Sequence, residues 1–368
     1  MSANSTLAAV MTSPRVTELR EFPLPDIPPD AGLLRVVATG ICGSDWGKYL
    51  STQFSPCILG HEIVGYIEKL GDGARFRWGV KEGDYVALEE YLPCGHCEYC
   101  RTGEYRSCLE TDHFNPEGVR YGSTPLKVKP SLYGGYSQYL YMHPRTVLHP
   151  LPSHVPPHIA AMALPLGNGF QWAFLDGQIG PGKTVVILGP GQQGLGCVVA
   201  AKVAGADNIV VVGLARDASR FQTARKLGAT HTFAIDEEDV LTRIKDITGG
   251  SMADLVIEVT SAGPEIINGG LSLLRKRGTM LCTAWKKSAV PLDIDRLIRY
   301  QANLQGVRGH SYESVELAIN TMKSGNFPLE LISTHVVGLK DVDRALKIVG
   351  GEATEKSIHI TVEPWKQE

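Results

Sequence analysis

The sequence lacks a strong excess of either charge and lacks long apolar runs. Its 36 Lys and Arg against 39 Asp and Glu leave a formal net charge of -3 over 368 residues. Because the chain has no broad positive field, its charge does not favour binding to a nucleic acid or an anionic membrane. We therefore expect a small-molecule ligand. The start of the chain has neither the basic residues nor the apolar core of a secretion signal, and no run approaches the ~18 apolar residues of a membrane span. We therefore expect a cytoplasmic protein.

Cysteine is scarce, yet four of the eight cysteines stand together in "PCGHCEYCRTGEYRSC" as C-x2-C-x2-C-x7-C. Disulfides are rare in a cytoplasmic protein, whereas four thiolates at these short spacings can wrap a tetrahedral zinc ion. Because the protein fills all four positions of such an ion, the predicted site is structural, and the ion folds a loop with little apolar content. The candidate ligands are Cys94, Cys97, Cys100 and Cys108.

The hydrophobic pattern changes near the middle of the chain. From about residue 20 to 150, short β-rich runs alternate with Gly, Pro and Asp turns, as in a compact antiparallel domain. After "LPSHVPPHIAAMALP" the order becomes strand, Gly-rich turn, apolar helix and strand, which predicts a parallel sheet covered by helices. Past about residue 309, two amphipathic helices and the strand "SIHITVEP" are predicted. The predicted fold class is therefore α/β, and the length allows two domains.

The stretch "ILGPGQQGLG" follows an apolar strand and opens a predicted helix, which is the context in which G-x-G-x-x-G binds a dinucleotide. These glycines let the backbone approach a pyrophosphate at the amino end of the helix. The candidate cofactor-binding residues here are Gly189, Gly191, Gln192, Gln193 and Gly194, with Thr260 at the end of the later strand "ADLVIEVT".

With "GICGSD" and "GHE" ahead of the cysteine cluster, the motifs follow the order of the zinc-dependent medium-chain alcohol dehydrogenases, and the sequence resembles that family over nearly its whole length. The resemblance implies a GroES-like catalytic domain at residues 1–165, with a structural zinc lobe at about 93–108. It also implies a Rossmann NAD(P)-binding domain at 166–308 and a return segment at 309–368 that completes the catalytic domain. A homodimer or homotetramer is expected.

The same resemblance assigns Cys42 and His61 as ligands of a catalytic zinc ion, which needs about three protein ligands and one open position. It makes Ser44 the hydroxyl that passes the substrate proton outward and Asp45 the carboxylate that orients the histidine ligand. Ser44 and Asp45 are also good helix caps, and the roles are compatible. The third ligand of the family, a Cys or Glu, falls here on Leu164, which cannot bind a metal.

Three accounts of the third ligand remain open. Glu62, beside His61, completes a Cys-His-Glu set that keeps an open position. Asn168 offers a weak amide oxygen, although such ligands are uncommon for zinc. Otherwise the pocket holds zinc loosely or not at all.

The proton relay also departs from the family pattern. Many relatives have a histidine at the position of Gly47. A proton could leave through Ser44 and the cofactor ribose, or be taken by Lys48 or Tyr49.

The strand "NIVVVGLARDASR" should end in the group that reads the adenosine ribose. The acidic position that favours NAD falls on Ala215, whereas Arg216 and Arg220 suit the 2′-phosphate of NADP. We therefore favour NADP over NAD. Asp217 could instead turn inward and serve as the acid, and the arginines could be a solvated helix start.

Three functions fit these motifs. The first is an oxidoreductase that moves a hydride between nicotinamide and a secondary alcohol or ketone carbon, with zinc as Lewis acid and Ser44 carrying the proton. The second is a zinc-independent reductase of activated C=C or C=N bonds with Ser44 or Tyr49 as proton donor, and the third is a non-catalytic NADPH-binding sensor. We expect the first, because a site freed from metal has no need of both Cys42 and His61.

Aromatic residues near the ligand segments favour an apolar or ring-bearing substrate, although the same side chains could be core. His310 could line the pocket or lie at the surface. The aromatic residues in question are Trp46, Tyr49 and Trp172.

Overall fold

The computed structural model describes residues 4–53, 55–112 and 114–367. The chain forms two compact units, one of residues 1–164 with 333–368 and one of residues 165–332. Within the described ranges, no helix has both the length and the apolar character needed to cross a membrane.

The elements follow the predicted order, β-rich first and alternating later. The strands are β1 Ser5–Ser13, β2 Val16–Pro23, β3 Gly32–Gly40, β4 Cys57–Ile58, β5 Glu62–Leu70, β6 Tyr85–Leu88, β7 Tyr139–Met142, β8 Leu148–Pro150, β9 Thr184–Leu188, β10 Asn208–Gly213, β11 His231–Ala234, β12 Ala253–Glu258, β13 Leu274–Cys282, β14 Asn303–Gly306, β15 Ser333–Val337 and β16 His359–Val362. The α-helices are α1 Gly43–Tyr49, α2 Asp72–Trp78, α3 Glu98–Arg101, α4 Pro157–Ala160, α5 Ala163–Gly169, α6 Gln192–Val203, α7 Ala218–Leu227, α8 Val240–Ile247, α9 Glu265–Ser272, α10 Ile294–Tyr300, α11 Tyr312–Ser324 and α12 Val342–Val349.

Antiparallel pairing dominates the first unit, as the β-rich pattern predicted. One sheet has the order β2-β1-β4, and a seven-stranded sheet runs β15-β16-β3-β5-β6-β8 with β7 also paired to β3. The register places Gly40 of β3 opposite Glu62 of β5 on one side and opposite Thr361 of β16 on the other. The end of β3, the start of β5 and the last strand therefore meet at one place.

The second unit is a parallel six-stranded sheet in the order β11-β10-β9-β12-β13-β14. This is the doubly wound order of the Rossmann fold, so the expected fold class is confirmed. All five residues of β9 are buried, which is typical of a strand covered on both faces. The direction of strand succession reverses between β9 and β12, and ligands of such sheets bind at the carboxyl ends of the strands there.

The chain returns to the first unit later than the expected residue 309, because residues 309–332 belong to the second unit. Helix α11 packs there against the π-helical segment Phe170–Asp176, and the Ser311 N–H donates to Gln171 Oε1 at 3.1 Å. The amphipathic pattern predicted the helix but not which unit its apolar face covers.

Candidate active site

Cys42, His61 and Glu62 meet beyond the end of β3. Cys42 is the N-cap residue of α1, and His61 directly precedes β5. Because Gly40 is paired with Glu62, the loop after β3 runs beside the start of β5. One ligand atom of each of the three residues lies within 4.8 Å of the other two, close enough for the three to share an ion.

Asp45 orients His61. Its Oδ1 lies 3.2 Å from His61 Nδ1, while Oδ2 accepts hydrogen bonds from the Cys42 N–H at 3.0 Å and the Tyr136 hydroxyl at 2.9 Å. Burial would raise the pKa of Asp45 and lower that of His61, but the attraction within the pair reverses both, so the pKa of Asp45 is lowered and that of His61 is raised. With Nδ1 engaged, His61 Nε2 is the atom available to a metal.

Both roles considered for Asp45 are present, since the same carboxylate closes the first turn of α1 and holds His61. Ser44 does not cap the helix, which begins one residue earlier with Cys42 as its cap. Its Oγ instead lies 3.5 Å from His61 Nε2, the ring nitrogen that is available to a metal.

Glu62 is held by a residue from the last strand. His359 Nε2 lies 3.1 Å from Glu62 Oε2, and both side chains are buried. Thr361 Oγ1 lies 3.4 Å from the other ring nitrogen of His359. Gly40 leaves the room for this pair, because a Cβ there would come within 2.0 Å of Glu62 Oε2 and 2.5 Å of His359 Nε2.

The other two positions considered for the third ligand, Leu164 and Asn168, both lie in α5. Leu164 is a buried apolar residue of α5, with 3% of its surface exposed. Asn168 Oδ1 lies 3.0 Å from His310 Nδ1, and a role for its amide as a metal ligand stays a prediction. The surface position considered for His310 is wrong, because only 3% of this residue is exposed.

The aromatic side chains near the ligand segments take part in packing. Tyr49 is buried, and its hydroxyl lies 2.6 Å from both Asp343 Oδ1 and the Arg15 carbonyl oxygen. Burial and the Asp343 carboxylate raise its pKa, so the hydroxyl stays protonated and engaged in these two contacts, and its role as a proton donor or acceptor stays a prediction. Trp172 Nε1 donates to the Gly309 carbonyl at 3.1 Å, and Trp46 packs directly against Gly350.

The four-cysteine cluster forms a second group of metal-ligating atoms. The Sγ atoms of Cys94, Cys97, Cys100 and Cys108 all lie within 4.8 Å of one another, and all four residues are free cysteines. The Cys97 N–H points at Cys94 Sγ at 3.3 Å, and the His96 and Cys97 backbone N–H groups help to lower the Cys94 pKa to about 6. Four such sulfurs in one loop suit a closed tetrahedral zinc ion.

The glycine motif lies between β9 and α6. Gly189 has a φ of +119°, and a Cβ on Gly194 would lie 1.9 Å from the Gly189 carbonyl oxygen. Gly191 is the N-cap of α6, and a Cβ there would meet open space. This leaves the amino end of the helix open to a pyrophosphate. Gln192 and Gln193 form the first turn, and among the described residues the buried Gln193 Oε1 has no hydrogen-bond partner.

Thr260 borders the same turn, because its methyl group would lie 2.7 Å from a Cβ on Gly189. Its hydroxyl donates to Glu258 Oε1 at 2.6 Å. Glu258 in turn pairs with Lys286 Nζ at 2.8 Å, and Lys286 also donates to the Thr260 carbonyl. This buried ion pair fixes the turn that follows β12.

The residues expected to read the ribose follow β10 in a short 3-10 turn at Ala215–Asp217. Arg216 is exposed. Asp217 accepts the Leu214 N–H at 3.1 Å and lies 3.3 Å from the Arg220 guanidinium, so its carboxylate is engaged within the turn.

Several residues of these sites escaped the sequence reasoning. Tyr136, in the loop before β7, and His359, in β16, reach Asp45 and Glu62 from distant segments, and no spacing rule connects them. Glu258 could have been identified from the sequence, because a carboxylate that ends an otherwise apolar strand needs a buried partner.

Comparison with known proteins finds related dehydrogenases. Residues 28–153 match the family model described as alcohol dehydrogenase GroES-like domain, and residues 194–324 match the model described as zinc-binding dehydrogenase. A Mycobacterium tuberculosis protein named probable alcohol dehydrogenase is 33% identical over 94% of both chains. The L-threonine 3-dehydrogenase of Pyrococcus horikoshii is 30% identical over 93% of this chain and 94% of its own. A Thermotoga maritima alcohol dehydrogenase structure superposes with a TM-score of 0.86 at 25% identity, covering 98% of this chain and 99% of that chain.

Proposed function

Because the chain belongs to the zinc-dependent medium-chain alcohol dehydrogenase family, we propose that it interconverts a secondary alcohol and a ketone with NADP and a catalytic zinc ion. The chain is an oxidoreductase that acts on CH-OH groups with a nicotinamide cofactor. The observation that carries the proposal is the convergence of Cys42, His61 and Glu62 within 4.8 Å.

The donor set fits zinc. A thiolate, an imidazole and a carboxylate are three of its usual ligands and leave one position for substrate. Asp45 and His359 support the two ligands that need orienting, an arrangement that metal sites require and that a metal-free reductase has no use for. When bound, the ion supplies a Lewis acid that polarises the substrate oxygen, and the nicotinamide gives or takes the hydride.

Ser44 is the residue that moves the substrate proton. Its hydroxyl can take a proton from the alcohol and release its own, because it both donates and accepts. Its position 3.5 Å from His61 Nε2 places it next to the coordinating atom. Gly47 adds no titratable group, so Ser44 is the first carrier of the proton.

NADP is favoured by the turn after β10. Ala215 provides no carboxylate for a ribose hydroxyl, and Asp217 is already engaged with the Leu214 N–H and Arg220. The exposed guanidinium of Arg216 is suited to a 2′-phosphate. The orphaned Gln193 Oε1 and the open amino end of α6 support dinucleotide binding at the glycine motif.

We also infer a cytoplasmic homo-oligomer, a dimer or a tetramer. Strand β14 is the last strand of its sheet, and the helix before it exposes Ile294 and Ile298 at 51% and 70%. Adjacent exposed apolar side chains favour association with another subunit. Clustered free cysteines favour a reducing compartment.

Metal analysis combined with turnover tests the proposal. The wild type should hold about two zinc ions per chain and oxidise secondary alcohols with NADP, and Glu62→Gln should lose one ion together with turnover. Glu68→Gln, an exposed carboxylate on the same strand, is the matched control and should keep both. One zinc ion in the wild type, with reduction of activated C=C bonds, would favour the zinc-independent reductase instead.

A further inference from the structure

Lys48 lies one helical turn beyond Ser44 on α1. Residues four apart on a helix share a face, and helical side chains lean toward the amino end, so Lys48 leans toward Ser44. Ser44 is itself 3.5 Å from His61 Nε2. The ammonium group therefore belongs to the surroundings of the candidate metal centre.

Arg120 and Glu90 flank the same centre. Their side chains form an ion pair at 2.8 Å, and Arg120 is only 7% exposed. The Tyr121 N–H donates to the Glu90 carbonyl at 3.0 Å, and a Cβ on Gly122 would come within 2.9 Å of His61 Cβ. The segment that carries Arg120 thus passes directly against His61.

The anionic groups near Lys48 are committed elsewhere. Asp45 accepts from Cys42 and Tyr136 and holds His61, and Glu90 is paired with Arg120. Burial raises the pKa of the nearby Cys57 thiol to about 11, so it is neutral at physiological pH.

Lys48 is left without a counter-ion. Within the part of the chain that the structure describes, its ammonium makes no hydrogen bond and no ion pair, and burial and the positive charge of Arg120 lower its pKa. Lys48 is partly exposed, and a cation held there without a partner loses part of its hydration, so the site is suited to an anionic ligand.

We propose that the substrate alcohol carries a carboxylate that pairs with Lys48. This inference rests on the proposed function and adds the substrate class to it. Because the Cβ atoms of Ser44 and Lys48 are about one helical turn apart, roughly 5–6 Å, the carboxylate stands within a few bonds of the alcohol carbon, as in a short hydroxy acid. A single ammonium is a point charge that matches one carboxylate.

A charge-matched substrate pair tests this assignment. The zinc-loaded enzyme is assayed with 3-hydroxybutyrate and with its methyl ester, which has the same alcohol but no charge. We expect kcat/KM to favour the acid by about tenfold or more. Lys48→Met should remove most of that preference by raising the KM for the acid, and Lys48→Arg should restore part of it. Lys69→Met, which changes an exposed lysine, should leave the preference intact.

Binding of butyrate provides a readout without turnover. Its dissociation constant should rise about tenfold in Lys48→Met and little in Lys69→Met. If no alcohol is oxidised, the proposed function fails, and butyrate binding still decides the role of Lys48. An unchanged acid-to-ester ratio with unchanged butyrate binding would overturn the inference. The inference would also be overturned if Lys48→Met lowered kcat/KM equally for the acid and the ester and removed one limb of the pH profile. Lys48 would then be a proton carrier. Preference for a phosphate ester over the acid would likewise overturn the carboxylate assignment.

Discussion

His359 Nε2 lies 3.1 Å from Glu62 Oε2, although the two residues are 297 positions apart in the chain. The pair is buried and joins the start of β5 to the last strand across Gly40. This contact fixes the orientation of Glu62. Glu62 is the candidate that replaces the family's third ligand.

Replacing His359 by Leu should therefore weaken the candidate catalytic zinc site. Loss of a residue that orients a ligand typically costs 10–100-fold in metal affinity. Zinc competition with a chelator, and the visible spectrum of the cobalt-substituted enzyme, measure this without turnover. His335→Leu, on the neighbouring strand β15, should leave the affinity unchanged. Equal affinity in His359→Leu would show that Glu62 needs no such support.

Gly40→Ala should disturb the same pair by crowding. The added methyl group would meet Glu62 Oε2 at 2.0 Å and His359 Nε2 at 2.5 Å. We expect a loss of about 1–3 kcal/mol in the free energy of unfolding, with loss of metal from this site. In Gly43→Ala the methyl group meets nothing within 4 Å, so urea unfolding of the two variants isolates the effect. Similar unfolding midpoints for Gly40→Ala and Gly43→Ala would contradict the predicted crowding at Gly40.

The cofactor preference should depend on Arg216. We expect Arg216→Ala to raise the KM for NADPH by about tenfold and to change that for NADH little, because only NADPH has the 2′-phosphate. Lys226→Ala, an exposed cation at the end of α7, is the control. A wild type that prefers NADH would instead favour Asp217 as the ribose reader.

Acid stability should depend on His143. Burial and the charge of Arg145 lower its pKa to about 4, and its Nδ1 accepts the Arg145 N–H at 3.1 Å, which requires the unprotonated nitrogen. The unfolded chain has a histidine pKa near 6.5, so it binds the proton first as the pH falls. This contribution to stability is complete above pH ~6.5 and is lost as the pH falls toward 4.

His143→Asn keeps an acceptor but removes the titration. Its free energy of unfolding, measured in urea from pH 7 to 4, should fall less steeply than that of the wild type. Parallel curves would contradict the assignment to His143.

Local motifs made much of this molecule predictable. The cysteine spacing and the glycine motif each depend on residues within one short loop or strand end, whereas the pairing of Cys42 with His61 was implied by the family resemblance. The parallel sheet followed from its alternating pattern in the same way.

What escaped prediction depends on contacts between distant segments. The unit to which α11 belongs is decided by the face on which it packs, and the hydroxyl of Tyr49 is engaged by Asp343, which lies 294 positions away. The sequence did not predict the role of His359 for the same reason, because only the pairing of β16 with β3 brings this residue to Glu62.

The origin of His359 in β16 sets an order of events during biosynthesis. The four sulfurs of residues 94–108 can capture their ion while the ribosome is still translating the dinucleotide-binding half. The Cys42 centre lacks its support at that stage, because the residue that orients Glu62 is translated hundreds of codons later. We therefore expect nascent chains to bind an ion at the four sulfurs first, and to bind the proposed catalytic ion tightly only after release.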